Sequence, residues 1–205
     1  MGKVKHFFEQ SWLLIVASFC FGLLIAVTNA ALSERIEQNR INKRNNLAKG
    51  LLPDANNFVP LDVAVEVMSI MGKKELAEIY EATSEDVRVG WIFNAAGSGF
   101  QGKIELVVAA DADFKELAGF DCIASNETPG IGDLIKEDDF RKQFEGAPAE
   151  KLKLVSSGEP TKIDSEIVAI SGATVSSGAV VEIIGHYLVQ VKQQLQAKGL
   201  IEDGK

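Results

Sequence analysis

The sequence predicts an α+β domain with an antiparallel-rich sheet and flanking helices, preceded by a single N-terminal transmembrane helix. Three observations predict it: an uncharged apolar run near the N-terminus, β-rich segments around a glycine-rich turn, and a long amphipathic helix pattern near the C-terminus. The 205 residues suit one domain with accessory segments. We expect an anchor over residues 1–33, a polar helix and linker over 34–60, and a folded domain over 61–205.

The anchor is predicted from charge and length. Residues 10–33 carry no charge, and their apolar part is long enough to cross a bilayer, which needs roughly 20 residues. Lys3 and Lys5 precede it, as in a segment whose N-terminus stays in the cytoplasm, but four basic residues follow within 35–44, so charge alone sets the orientation weakly. The alternative is a signal peptide cleaved near residues 28–30, but its apolar region would span only ~7–15 residues. We favour the uncleaved anchor.

The segment after the anchor is polar at first and then ambiguous. Residues 33–50 predict a continuing helix that ends near Gly50, and two prolines in 51–60 predict a linker or turn. In 61–79, alternating valines predict a strand, whereas the pattern of 73–80 is typical of a helix. The alternating valines are Val63, Val65 and Val67.

The middle of the chain predicts a β-hairpin. Residues 87–93 and 103–110 are β-rich, and the glycine-rich stretch 94–102 separates them. Within that stretch, Gly97 to Gly102 match the dinucleotide fingerprint G-x-G-x-x-G. A dinucleotide site requires a helix directly after the fingerprint, whereas a strand pattern follows here. We therefore interpret the glycines as a hairpin turn that uses positive φ angles.

The remaining elements complete the α+β pattern. Residues 119–124 and 167–170 predict short strands, and 137–144 predict a short helix. The clearest element is a helix over 175–198, because its apolar residues recur along one face. They are Val180, Ile184, Tyr187, Leu188, Val191 and Leu195.

Composition excludes several classes of protein. The net charge of −8 leaves no basic surface for nucleic-acid phosphates. Two scattered cysteines and two histidines show neither a disulfide framework nor metal-ligand spacing. Trp91 and Phe93 fit a core, Cys122 fits a buried position, and His186 lies at the boundary of the helical face. Phe100, in the glycine-rich turn, is a weaker candidate for contact with a flat ligand.

The hydroxyl-rich loop 170–178, I-S-G-A-T-V-S-S-G, lies between the last strand and the long helix. The first N–H groups of a helix have no partner within it, so they form a ready anion site. Small residues leave room for a ligand and hydroxyls add donors; these are Gly172, Ala173, Ser176 and Ser177. The alternative is that Ser171 or Thr174 only caps the helix.

Two motifs then resemble one family. The stretch 171–177, S-G-A-T-V-S-S, resembles the flavin-attachment motif of the FMN-binding domain family. That family includes the G subunit of the Rnf electron-transport complex and the C subunit of the sodium-pumping NADH:quinone reductase. Residues 126–132, N-E-T-P-G-I-G, resemble its second signature, and the modest length favours the Rnf type. The family often has an acidic residue three positions before the serine, where this chain has Val168.

The resemblance implies FMN joined through a phosphoester to Thr174 by a flavin transferase that uses FAD. It implies that residues of both motifs lie near the cofactor, with Glu127 either bonding to an edge of the flavin or only bracing its own loop. These residues are Ser171, Gly172, Ala173, Ser176, Ser177, Glu127, Thr128 and Gly130.

The function that the resemblance implies is electron transfer within a membrane complex. The chain would be one subunit of an ion-translocating ferredoxin:NAD oxidoreductase, not catalytic alone, with the other subunits as partners. Its domain would lie on the extracytoplasmic side of the plasma membrane. The alternatives are the C subunit of the quinone reductase, a stand-alone extracytoplasmic flavin reductase, and a membrane-tethered binding or assembly module without covalent flavin.

Overall fold

The computed structural model describes residues 2–61, 65–68, 70, 72–85 and 87–202. The chain divides into two compact units, residues 1–42 and 43–205. In chain order the elements are α1 (Gly2–Leu51), β1 (Asn57–Pro60), β2 (Val65–Met68), β3 (Lys74–Ala77), β4 (Ile79–Ser84), β5 (Val87–Ser98), β6 (Lys103–Asp111), β7 (Leu117–Ser125), α2 (Asp138–Arg141), β8 (Lys153–Val155), β9 (Glu166–Val168) and α3 (Thr174–Ala197).

The first unit is the greater part of α1. This helix runs unbroken through the predicted anchor and its polar continuation. The large apolar side chains from Trp12 to Val27 are 48–72% exposed. A helix whose large apolar side chains are all exposed has the surface of a lipid-facing segment. By length and composition α1 is suited to cross a membrane.

The second unit is built on a five-stranded sheet in the order β1-β4-β5-β6-β7. Every neighbouring pair in it is antiparallel. The predicted hairpin is confirmed, since β5 pairs with β6 from Gly90↔Asp111 to Ser98↔Lys103. The predicted third strand is confirmed as β7, and the Gly99 N–H donates to the Gly102 carbonyl across the hairpin turn at 2.6 Å. The fold class is therefore the one that the sequence predicts.

Side chains alternate between the two faces of this sheet. Along β6, Ile104, Leu106 and Val108 belong to one buried cluster, whereas Val107 and Ala109 belong to another. This period of two follows from the pleat of a strand. Both faces are apolar, so each needs a cover from another element.

Helix α3 covers the first face. All six residues of its predicted apolar face are buried in the larger cluster: Val180, Ile184, Tyr187, Leu188, Val191 and Leu195. Burying side chains of this kind contributes about 1.5–3 kcal/mol each. The helix is thereby held against β5 and β2.

The end of α1 covers the second face. Ala48 is buried there, and Lys43 donates a hydrogen bond to the carbonyl of Ile123. The guanidinium of Arg44 stacks on Tyr80, with its central carbon 4.0 Å from the ring centroid. The last turns of α1 therefore belong to the folded unit, which begins at Lys43 rather than at residue 61.

Part of the predicted linker is also a strand. Asn57–Pro60 form β1 and pair with β4, from Asn57↔Thr83 to Pro60↔Tyr80. Proline lacks an N–H, yet it fits here because β1 is an edge strand of the sheet. The prolines that predicted a linker thus mark a turn and a sheet edge.

The helix predicted over 73–80 is wrong. Lys74–Ala77 form β3, which pairs with β2, and the chain continues directly into β4. Pairing with another strand overrides the helical propensity of this segment. The predicted alternation holds for Val65 and Val67, which are both buried, while Val63 lies outside the described residues.

A short parallel pair leads into the hydroxyl-rich loop. The predicted strand is present as β9, and its partner β8 was not predicted. The predicted short helix is α2, followed by a 3-10 turn over Lys142–Phe144. From that turn the buried side chain of Gln143 bonds to both the N–H and the carbonyl of Val168, at 2.8 and 3.2 Å. These bonds fix where the loop begins.

Candidate functional site

A tight turn connects β9 to α3. The Ala173 N–H donates to the Ile170 carbonyl at 3.0 Å, and Gly172 has a φ of +82°. A turn of this kind needs a positive φ at its third residue, which glycine adopts without strain. Apart from the two chain neighbours of Gly172, none of the described atoms comes within 4 Å of where a side chain would begin there, so the space beside the turn is open.

The N-cap residue of α3 is Ala173. Among the residues that the structure describes, no side chain makes a capping hydrogen bond there. The interpretation of Ser171 or Thr174 as the cap is therefore wrong. Within the described residues the Thr174 hydroxyl has no hydrogen-bond partner. Ser171 and Thr174 are both exposed. The first N–H groups of the helix therefore lack a partner among the described side chains, and Thr174 is its first residue.

The two serines of the first turns are already engaged. The Ser177 hydroxyl donates to the Ala173 carbonyl at 2.9 Å and accepts from the Ile170 N–H at 3.1 Å. The Ser176 hydroxyl donates to the Glu127 carboxylate. Both serines are buried. In this arrangement both hydroxyl hydrogens are directed at protein acceptors and brace the loop.

Glu127 lies at the junction of three segments. Its side chain is 5% exposed. One carboxylate oxygen accepts from the N–H groups of Gln101 and Gly102, at 3.0 and 3.4 Å, and the other accepts from Ser176. The carboxylate thus joins its own loop to the hairpin and to the first turn of α3.

The hairpin glycines act through close approach rather than through positive φ. No residue of 97–102 is among the described residues with positive φ, so that reason for the glycines is wrong. A Cβ on Gly99 would lie 2.9 Å from Glu127 Cδ, and one on Gly97 would lie 2.6 Å from Ile183 Cγ1. The glycines of the G-x-G-x-x-G stretch thus leave room for Glu127, and the N–H groups of Gln101 and Gly102 bind its carboxylate.

Hydrogen bonding sets the charge of Glu127. Burial alone would raise the pKa of its carboxyl group, but the hydrogen bonds from Ser176, Gln101, Gly102 and Phe100 together lower that pKa below its ordinary value. The group is therefore a carboxylate at neutral pH.

An open cavity of about 530 Å³ borders these elements. This volume is in the usual range for small-molecule sites. Its lining is Phe100, Thr128, Ile131, Gly132, Gly172, Ala173, Thr174, Val175 and Ser176. Three of these are exposed apolar side chains at the rim, namely Phe100 at 68%, Val175 at 59% and Ile131 at 51%. The cavity thus combines the N-terminus of α3, the exposed Thr174 residue and apolar side chains.

The structure brings most of the predicted site residues together. Gly172, Ala173, Thr174, Ser176 and Thr128 line the cavity. The other four, Ser171, Ser177, Glu127 and Gly130, do not line it.

Three lining residues were not predicted. Ile131 and Gly132 lie within the second motif, and Val175 lies within the first. The sequence does offer a signal for Val175. It is an apolar residue in the first turn of α3 that does not belong to the apolar face of that helix, and in the structure it is exposed.

Residues assigned to other roles lie away from the cavity. Trp91 and Phe93 are fully buried in the core. Cys122 is buried, and burial raises the pKa of its thiol. His186 is half-buried and bonds through its ring to the Met68 carbonyl. The predictions for these four residues are confirmed.

Comparison with known proteins places the chain in a family. A model of the FMN-binding domain matches residues 99–189, which include the hairpin turn and both motifs. The chain is 30% identical over 178 residues to the G subunit of the proton-translocating ferredoxin:NAD(+) oxidoreductase complex of Clostridium ljungdahlii, covering 87% of this chain and 88% of that protein. The chain belongs to this family of G subunits. A second member, the G subunit of the ion-translocating oxidoreductase complex of Methanosarcina acetivorans, is 29% identical over 83% of this chain and 87% of that protein.

Solved structures support the same fold. The crystal structure of NqrC from Shewanella oneidensis aligns with a TM-score of 0.57 at 20% identity, over 71% of each chain. The described sheet and flanking helices are therefore an arrangement already observed by experiment in a related domain.

Proposed function

We propose that the chain is the electron-carrier subunit of an ion-translocating ferredoxin:NAD oxidoreductase membrane complex and that FMN is bound covalently to Thr174. The FMN-binding domain match and the related G subunits support the cofactor and the type of complex. When bound, the flavin supplies the redox chemistry, and the protein supplies its position and electrostatic surroundings.

The single observation that carries the covalent linkage is the state of Thr174. Its hydroxyl is exposed, borders an open cavity and lies at the uncapped N-terminus of a 24-residue helix. A capping threonine would have used that hydroxyl within the protein. A phosphodiester on Thr174 keeps one negative charge, which the helix end would stabilise by ~0.3–1 kcal/mol.

The attachment is a transfer of a flavin phosphate from FAD by a flavin transferase. A bond forms between Thr174 Oγ1 and the phosphorus of the FMN half of FAD. The pyrophosphate bond of FAD breaks, and AMP leaves with the oxygen that bridged the two phosphorus atoms. The hydroxyl proton of Thr174 is released. The exposed threonine suits this reaction because a transferase has to reach it in the folded protein.

The experiment is intact mass with in-gel flavin fluorescence on the full chain co-expressed with a flavin transferase. We expect the wild-type chain to gain the mass of one FMN less water and to fluoresce on a denaturing gel. Thr174→Val should lose both signals, because valine keeps the shape and lacks the hydroxyl.

The matched control is Thr128→Val, since Thr128 lines the same cavity. It should keep the added mass. If the added mass persists in Thr174→Val and disappears in Thr128→Val, the flavin is attached to Thr128, and the proposed linkage to Thr174 is overturned. An unmodified wild-type chain would overturn covalent attachment and favour the tethered binding module.

We further propose that the domain lies on the extracytoplasmic side and that other subunits of the complex are its partners. The two lysines before the apolar run support this orientation. Protease added to intact cells should remove the domain. Survival of the domain in intact cells, with cleavage after lysis, would place it in the cytoplasm. Co-purification with polytopic subunits separates a complex subunit from a stand-alone flavin reductase.

A further inference from the structure

We propose that Glu127 is a positioning residue that holds the hairpin turn against the first turn of α3 and so shapes the cavity beside Thr174. It does this without contacting the flavin. This inference rests on the proposed function only for the identity of the molecule in the cavity. The hydrogen bonds between the hairpin and Glu127 lie within the protein and do not depend on that molecule.

The first argument is that both carboxylate oxygens of Glu127 are occupied by the protein. One accepts from the N–H groups of Gln101 and Gly102, and the other accepts from the Ser176 hydroxyl. A buried carboxylate requires such partners, because an unpaired buried charge is strongly unfavourable. Its hydrogen-bonding capacity is therefore directed at neighbouring segments.

The second argument is that two glycines enclose the carboxylate. A Cβ at Gly99 would lie 2.9 Å from Glu127 Cδ, and one at Gly132 would lie 3.0 Å from Glu127 Cβ. The backbone itself therefore packs against this side chain. Glu127 is also absent from the lining of the cavity, so a ring in the cavity meets other residues.

The third argument is that each segment joined by Glu127 supplies part of the cavity wall. The hairpin contributes Phe100, the loop after Glu127 contributes Thr128, and the helix contributes Thr174. Thr128 adds a second tie, donating to the Gln101 side chain at 3.1 Å. Release of the carboxylate would free the hairpin and move Phe100 away from Thr174.

The test is amide hydrogen exchange on the full chain in detergent, produced without a flavin transferase. In wild type the Gln101 and Gly102 amides should be protected. Glu127→Ala should speed their exchange at least tenfold, while Glu127→Gln should stay within about threefold of wild type, because its amide oxygen still accepts from both N–H groups. Unchanged protection in Glu127→Ala would overturn the proposal.

Asp111 offers a matched control at the other end of β6. Its carboxylate also accepts from two loop N–H groups, those of Lys115 and Glu116, at 2.6 and 2.9 Å. Asp111→Ala should speed exchange in its own loop and leave Gln101 and Gly102 unchanged. If Asp111→Ala also speeds exchange of the Gln101 and Gly102 amides, the effect of Glu127→Ala reflects a general loss of stability, and the specific role of Glu127 is overturned.

A second measurement on chains co-expressed with the transferase separates positioning from flavin contact. Flavin occupancy by intact mass should fall several-fold in Glu127→Ala and recover in Glu127→Gln, with the flavin absorption spectrum of the loaded Gln variant equal to wild type. A spectrum shifted in Glu127→Gln, with the hairpin still protected, would show that the carboxylate contacts the ring and overturn the proposal.

The two proposals fail in different ways. If wild type carries no flavin, the proposed function fails while the exchange result still decides the role of Glu127. If Glu127→Ala does not fold, Glu127→Met decides, because methionine fills a similar volume but offers the hairpin N–H groups no carboxylate oxygen. Its Gln101 and Gly102 amides should exchange at least tenfold faster than in wild type. Unchanged protection in that variant would overturn the proposal.

Discussion

Replacing Gly99 by alanine should destabilise the domain through a single methyl group. The new Cβ would lie 2.7 Å from Ile104 Cδ1 and 2.9 Å from Glu127 Cδ, both closer than side-chain carbons normally approach. Gly99 is not among the described residues with positive φ, so an alanine there meets no backbone strain. The steric clash and its effect on the carboxylate alone set the cost.

The magnitude follows from two contributions. Overpacking a dense site costs about 1–3 kcal/mol. Displacing Glu127 also weakens hydrogen bonds to a charged group, which are worth about 1.5–3 kcal/mol each. Because the hairpin can shift and keep part of these bonds, we expect a loss of about 3 kcal/mol in the free energy of unfolding. For a domain of this size the Tm should fall by roughly 6–12 °C.

The assay is thermal unfolding of the full chain in detergent, followed by near-ultraviolet circular dichroism. Gly178→Ala is the matched control, because a Cβ there would lie at an ordinary 3.6 Å from Leu154 Cδ2. Within helix α3 that change should stabilise by about 0.5–1 kcal/mol. The same substitution is thus expected to act with opposite sign at the two sites. A Tm of Gly99→Ala at or above wild type would refute the proposed packing around Glu127.

Two further predictions concern buried charges. The lowered pKa of Glu127 means that its stabilisation is complete above the unfolded-state value of 4.5 and is lost as pH falls through the lower folded-state pKa. The difference in unfolding free energy between wild type and Glu127→Gln, measured with denaturant, should be constant near neutral pH and shrink below about pH 4.5; a difference that grows on acidification contradicts this. Arg44→Ala should cost about 1–2 kcal/mol, because it removes the stacking on Tyr80 and the polar contacts of a buried guanidinium. The control is Lys49→Ala, at an exposed position of the same helix, which should change the free energy of unfolding by less than about 0.5 kcal/mol. Equal losses of unfolding free energy in the two variants would show that the Arg44 contacts do not stabilise the domain.

Local periodicity explains which elements could be predicted. The apolar face of α3 is encoded within one helix, so its six core positions could be read from spacing alone. The conformation of segment 73–80, in contrast, is not encoded by its own residues alone. Its conformation is decided by pairing of β3 with β2 and of β4 with β5, and these contacts leave no periodic signal within the segment itself.

The site shows the same division between local and distant information. The hydroxyl-rich loop and its place at the start of a long helix could be predicted, since both depend on consecutive residues. The partners of Glu127 could not, because they lie 26 residues before it and 49 residues after it in the chain. For the same reason the sequence indicates only a turn at the hairpin glycines, whereas Gly99 also makes space for the Glu127 side chain from another loop.

The packing of the end of α1 against the sheet determines where a water-soluble fragment has to start. A fragment starting at residue 61 would lack β1 and would leave the backbone of β4 unpaired along one side. It would also uncover Ile92 and Val107, which lie beneath the end of α1 in the intact chain. Unpaired strands and bare apolar faces favour self-association. A start at Lys43 keeps both the edge strand and the helical cover.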